Sequence, residues 1–146
     1  MKLKIPELNK NQLIFLGVAL VLVIAVVVVV WINWGKLKSW VSSKQEAAYY
    51  DRQIVKSDIT LTDQQAKAVA SKMYYAMKGI GTNEENLYAA FQTIGSYSDL
   101  LLVMKHFSEL AGDGESLPDW ISDDCSSKDI AKINQILASK NINFSF

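Results

Sequence analysis

The residues with the most chemistry to offer lie together in Met77-Lys78-Gly79-Ile80-Gly81-Thr82-Asn83-Glu84-Glu85. Gly79 and Gly81 suit the positive φ angles that end a helix and turn the chain, and Thr82 with Glu85 is a capping-box pattern that starts another. Carbonyls at the end of the first helix then lack intrahelical partners, and water, a side chain or a cation must replace them. A second acidic set, Asp113, Glu115, Asp119, Asp123 and Asp124, follows further along. Such a run is a solvated face unless its pairing with the glycine loop gives it a role.

Other reactive types are sparse. Cys125 has no partner cysteine in this sequence and reads as a small residue near a helix end. His106, the one histidine, has no Cys or acidic cluster at ligand spacing and reads as a surface or boundary residue. Glu84, Glu85 and Glu109 show no spacing that sets a raised-pKa acid opposite a second carboxylate. No phosphate loop, Cys-x-x-Cys pair or Gly-x-Ser-x-Gly elbow is present. The expectation is a protein without enzymatic activity. Lys plus Arg number 15 against 15 Asp plus Glu, so no charge excess points to a nucleic-acid partner.

The elements that must position these residues fall into four stretches. Residues 1–12 form a polar arm in which Pro6 discourages a long helix. Residues 13–32 carry no charge and are dense in valine; as a helix they span roughly 30 Å, the thickness of bilayer hydrocarbon. A strand of that length would fall far outside the usual range, whereas a helix satisfies its own backbone in lipid. Lys2, Lys4 and Lys10 ahead of the block also suit a signal peptide. The exit into Trp31-Ile32-Asn33-Trp34, without a small-residue cleavage site, favours an uncleaved single-pass anchor with Trp31, Trp34 and Trp40 as an interfacial belt. The flanking Lys36, Lys38, Lys44 and Arg52 balance the N-terminal lysines, so positive charge does not orient the span.

Residues 33–56 read as a juxtamembrane helix or linker, with Leu37, Trp40 and Val41 on one helical face and Tyr49-Tyr50 further on. Residues 57–146 read as a small all-α domain of five helices. The first opens at Thr62 with Gln65, carries Ala66, Val69, Met73 and Met77, and stops at Gly79; Tyr74-Tyr75 lie within it. The second opens at Thr82 and carries Leu87, Phe91 and Ile94 up to Gly95. The third, from Ser96 or Ser98 to Gly112, has the stripe Leu100, Leu101, Met104, Phe107 and Leu110. The fourth starts at Ser116 with Pro118 in its first turn and buries Trp120 and Ile121. The fifth starts at Ser126 or Ser127, carries Ile130, Ile133, Ile136 and Leu137, and ends around Asn141.

Five helices in this order, the first two joined by Met77-Lys78-Gly79-Ile80-Gly81-Thr82-Asn83-Glu84, resemble a single annexin repeat over roughly residues 60–139. In that family the loop reads Met-Lys-Gly-Leu or Ile-Gly-Thr-Asp-Glu. The resemblance implies a calcium site made of the carbonyls of Met77, Gly79 and Gly81 and a carboxylate from the fourth helix, Asp124, with Asp123 the next choice. Calcium takes six to eight oxygens, and carbonyls at a helix end already carry partial negative charge. The chain departs from the family at Asn83, where aspartate is usual, at Asp124, where glutamate is usual, at Pro118 inside the fourth helix, and in joining one repeat to a membrane span.

Together these readings lead to a membrane-anchored, non-enzymatic binding or structural module, held in the lipid bilayer through residues 13–32 and presenting a helical domain to a protein partner or surface. Its size and single span fit a microbial or phage accessory component. The competing readings are a calcium-dependent module for lipid or polymer, and a small pore-forming or lysis protein whose span is the active part.

Overall fold

The computed structural model describes residues 9–112 and 114–146, with Leu13 described in its backbone alone. The polar arm therefore lies outside the described residues up to position 8, as does Asp113 of the acidic set. Every regular element described is helical, so the all-α expectation holds. The chain divides into two units, Met1–Leu37 and Lys38–Phe146, which are taken in turn.

In the first unit, α1 (Lys10–Ile32) starts three residues earlier than its apolar core requires, because Asn9 caps it. The Asn9 side chain accepts from the Gln12 amide at 2.9 Å while Gln12 Oε1 accepts from the Asn9 amide at 3.0 Å, closing a reciprocal capping box. Asn33 ends the helix, its side-chain amide donating to the Val29 carbonyl at 2.8 Å. From Ile14 to Ile32 the side chains of α1 are apolar on every side and nearly all exposed, Phe15 to 76% and Val21 to 66%. A helix with no polar face has no stable place at a water-facing surface. It is long and apolar enough to cross a membrane.

The helix α2 (Trp34–Gln53), in the stretch expected to be a juxtamembrane helix or linker, carries the chain into the second unit. Ser43, Ala47 and Tyr50, one face at helical spacing, are buried, whereas Trp40 and Val41 of the expected stripe stay exposed. Near Ser42 and Ser43 the side chains are small because the backbone of Gly114 comes close. Ser43 Oγ accepts from the Gly114 amide at 3.1 Å, and a Cβ on Gly114 would stand 2.7 Å from Ser42 Cβ. Lys105 pairs with Asp51, and burial with the neighbouring Glu46 pushes the Tyr50 phenol far above its ordinary pKa. Gly114 also has φ +86°, so Gly114→Ala combines strain with a clash and should cost about 1–3 kcal/mol. Adding Ser42→Gly relieves the clash but not the strain, so thermal unfolding should show partial recovery.

After a 3-10 turn at Lys56–Asp58 come the five expected helices, α3 (Asp63–Met77), α4 (Glu84–Thr93), α5 (Tyr97–Ala111), α6 (Leu117–Asp124) and α7 (Ser127–Ser139). Thr62 with Gln65, Ser116 with Asp119 and Ser126 with Asp129 each form a capping box. Gly112 ends α5 in the left-handed region at φ +70°. The central helix is α5, packed on α3 and touching α6, while α4 packs on α3 and α7. From Ser98 to Ser108 it is buried on nearly every side, as expected of a helix at the middle of a bundle. Leu100, Leu101, Met104 and Phe107 are in the core as their spacing predicts. Leu110 is not: at 40% exposure it faces outward near the end of the helix, while Ala111 beside it packs against the core. Trp120 and Ile130 are half-buried against the core rather than within it.

One buried carboxylate ties the bundle together. Asp99, wholly buried, accepts from the Thr60 amide at 2.8 Å, the Leu61 amide at 2.9 Å, the Gly95 amide at 3.0 Å and the Thr60 hydroxyl at 2.5 Å. It thereby joins the approach to α3, the end of α4 and the start of α5. Burial pushes its pKa up, but the Thr60 hydroxyl and the three amides together outweigh burial and hold it below the usual carboxylate range.

Candidate functional site

The glycine loop lies between α3 and α4. Lys78 closes α3, its amide donating to the Tyr74 carbonyl at 2.8 Å, and the Asn83 amide donates to the Ala76 carbonyl at 2.7 Å across the base of the loop. Between them Gly79 has φ +123° and Gly81 φ +82°, so both glycines are required for their backbone and not for space: a Cβ on either would meet nothing within 4 Å. Ile80 projects from the tip fully exposed. Lys78 Nζ lies 4.9 Å above the Tyr74 ring, a cation–π contact at the neck of the loop.

The cap of α4 differs from the capping box expected at Thr82. Asn83 is the N-cap, its side chain accepting from the Asn86 amide at 3.0 Å. Thr82 is drawn elsewhere and donates its hydroxyl to the Asp124 carbonyl at 2.9 Å. An asparagine at the correct register outranks the threonine before it, which frees that hydroxyl to bridge to the end of α6. Asn83→Ala should lower stability by about 1 kcal/mol. Thr82→Val should lower it by less, about 0.5 kcal/mol, because the bond it loses is exposed. Thermal unfolding of the two variants side by side reverses this order if Thr82 were the cap.

The four residues of the implied calcium site are therefore distributed as follows. Met77 is buried in the core by its side chain, at 2% exposure. Gly79 and Gly81 stand on the loop in left-handed conformations, and Gly81 lines a shallow depression of about 490 Å³ with Tyr75, Lys78, Ile80, Glu84 and Glu85. Asp124 is brought to the loop, but through its main-chain carbonyl. Among the described residues no group of three or more His, Cys, Asp or Glu converges as a metal cluster. The acids nearest the depression are Glu84 and Glu85, in the first turn of α4, where they favour the positive end of the helix.

Beside the loop, the starts of α4 and α7 and the end of α6 share one end of the bundle. Tyr88 donates to Asp129 Oδ1 at 2.6 Å, and that bond, with burial, pushes the Tyr88 phenol up to about 12. Asp129 also accepts from the Ser126 amide and hydroxyl, which hold its carboxyl below the usual range. Cys125 is half-buried here; burial, then the charges of Asp129, Asp124 and Glu84, push its thiol up to about 11. A thiol so placed stays protonated near neutral pH and is a poor nucleophile. A groove of about 650 Å³ runs alongside, lined by Glu84, Tyr88, Lys128, Asp129, Lys132 and Gln135.

His106 is where spacing misled most. It is 6% exposed, with Nε2 2.8 Å from Asp63 Oδ1 and Nδ1 3.2 Å from Glu109 Oε2, so both ring nitrogens face carboxylates. Lys67 also pairs with Asp63, at 2.7 Å. Glu109, one turn away, was visible in the sequence; Asp63, 43 residues distant, was not. The tyrosine pairs divide by burial: Tyr50 and Tyr74 turn inward, Tyr74 against Phe107 and Trp120, while Tyr49 and Tyr75 remain exposed.

Comparison of the chain with family models, curated proteins and solved structures finds no match.

Proposed function

We propose that the chain is a single-pass, membrane-anchored, non-enzymatic module that presents its helical unit to a protein partner. The observation that carries this reading is α1, apolar and exposed on every face, in one chain with a folded unit. Exposed apolar surface of that extent calls for lipid. In the folded unit, Asp99 and Asp129 accept from amides and hydroxyls, His106 lies between two carboxylates, and the Cys125 thiol stays protonated near neutral pH.

Alkaline carbonate extraction of membranes from expressing cells tests the anchor. The full chain should stay in the pellet, and a chain lacking residues 10–32 should appear in the supernatant. Intact mass of the product in both fractions distinguishes an anchor from a signal peptide, because cleavage would remove the apolar block and all that precedes it. Photo-crosslinkers placed at exposed Tyr75 and Ile80 should capture one recurrent protein; uniform background capture would remove the partner from this reading.

A second reading, a calcium-dependent annexin-like module, is favoured by one contact: the Thr82–Asp124 bond seats the end of α6 against the glycine loop. On this reading the carbonyls of Met77, Gly79 and Gly81 with Asp124 hold calcium, which supplies charge to recruit an anionic surface. Calorimetry of the detergent-solubilised chain decides between them. A saturable calcium heat at millimolar concentration, lost in Asp124→Ala, supports the second reading, and no heat removes it.

A further inference from the structure

The segment after α7 is attached to the fold as a ligand is attached to a site. Helix α7 ends in a Schellman motif: the Ile142 amide donates to the Leu137 carbonyl and the Asn141 amide to the Ala138 carbonyl, both at 3.0 Å, with Asn141 at φ +58°. Ile142, 3% exposed, completes that motif with its hydrophobic contact. Beyond it, the Phe144 amide donates back to the Ile142 carbonyl at 3.0 Å, a tight turn at Asn143, and residues 143–146 enter no helix and no strand ladder. Their exposure alternates: Asn143 and Ser145 face out, while Phe144 and Phe146 are half-buried. Once the chain has turned at Asn143, that alternation sets Phe144 and Phe146 together against the core.

The contacts beneath it divide into main-chain and side-chain recognition. Asn134 of α7 accepts from the Phe146 amide at 2.9 Å and donates its side-chain amide to the Phe146 carbonyl at 3.1 Å. One side chain thus takes both main-chain groups of one residue, as a neighbouring strand would, whatever that residue's own side chain. The rings supply selectivity. Phe146 packs edge-on against Phe91 of α4 with centroids 5.5 Å apart, Phe144 lies 6.4 Å from Tyr97 of α5, and the two phenylalanines meet each other at 4.9 Å.

We propose that Phe91, Tyr97 and Asn134 form a peptide-binding groove for an extended protein segment carrying aromatic residues at positions i and i+2, and that residues 143–146 occupy it in cis as a competitor. This rests on the reading of the helical unit as a protein-binding module and names the chemistry of its partner. It makes no use of the membrane span, so the extraction experiment and the one below fail independently. The cis segment, tethered directly after α7, competes at an effective concentration of about a millimolar, so removing it raises apparent affinity for a partner peptide about tenfold or more.

The test is fluorescence anisotropy of a labelled peptide with the sequence of residues 141–146, Asn-Ile-Asn-Phe-Ser-Phe, titrated with the detergent-solubilised chain. A chain ending at Asn143 should bind it saturably and at least about tenfold more tightly than the intact chain. Asn134→Ala in the shortened chain, or serine at both phenylalanines of the peptide, should abolish binding. The intact chain carrying Phe144→Ser and Phe146→Ser keeps its main-chain ties and should bind with intermediate affinity. Absence of saturable binding to a shortened chain that retains the circular dichroism of the intact one overturns the proposal. Loss of fold on shortening also overturns it, because the segment would then belong to the core. Self-association of the intact chain that disappears on shortening assigns the groove to a second copy and overturns it equally.

Discussion

Replacing Asp99 by alanine is expected to cost the helical unit about 3–4 kcal/mol, a large share of the stability of a domain this size. The carboxylate accepts four hydrogen bonds from three parts of the chain, and an alanine leaves the Thr60, Leu61 and Gly95 amides without their acceptor. Asp99→Asn should cost less. Its one remaining carbonyl oxygen can serve the Thr60 and Leu61 pair, while its NH2 faces the Gly95 amide, a donor against a donor. The pH dependence follows from the direction of the shift. Because the folded-state pKa is lowered, the stabilisation is complete above the unfolded value of about 3.9 and is lost as pH falls through the folded value. The gap between wild type and Asp99→Ala, read by denaturant unfolding with near-UV circular dichroism, should therefore narrow below about pH 4. A gap of constant size down to pH 2 would show that the ionised carboxylate is not what the amides hold.

Phe107→Ala is the second large effect, about 3–5 kcal/mol. Phe107 is wholly buried, 5.5 Å from Trp120 and 6.2 Å from Tyr74 between ring centroids, and those two rings lie 5.2 Å from each other. Truncation removes one ring of three and leaves a cavity that Tyr74 and Trp120, on different helices, fill incompletely. Leu110→Ala on the same helix is the informative companion: at 40% exposure it should cost less than about 1 kcal/mol. By spacing alone the two residues belong to one stripe and would be equal. Similar losses for both would mean that α5 is covered for its whole length.

That contrast shows how far the sequence could be read. Helix order, the apolar span and most caps were legible, because each depends on residues within a turn of one another. Thr62 with Gln65, Ser116 with Asp119 and Ser126 with Asp129 are three apart and close their own hydrogen bonds. Two adjacent cap formers were harder. At Thr82-Asn83 the pattern named the wrong one, since the choice depended on whether Thr82 had a partner on α6, 42 residues away. The docking of α2 was hidden for a related reason. Two of the three residues on its buried face are small, Ser43 and Ala47, and only Tyr50 answers a search for large side chains.

By itself, then, the sequence determined that this protein is helical, that one of its helices suits a bilayer, and the order and approximate limits of the five helices from Asp63 to Ser139. The physical cause is local: backbone hydrogen bonds, glycine conformations and helical periodicity are settled within a few residues. Only the tertiary structure decided which polar groups have partners. Asp99 meets Thr60 across 39 positions, His106 meets Asp63 across 43, and Gly114 meets Ser43 across 71. Packing makes those choices, because a buried donor or acceptor must be satisfied by whatever the fold brings within reach. The glycine loop belongs to both categories. Its turn was visible in Gly79 and Gly81, but that it receives the carbonyl of Asp124 was decided by the bundle.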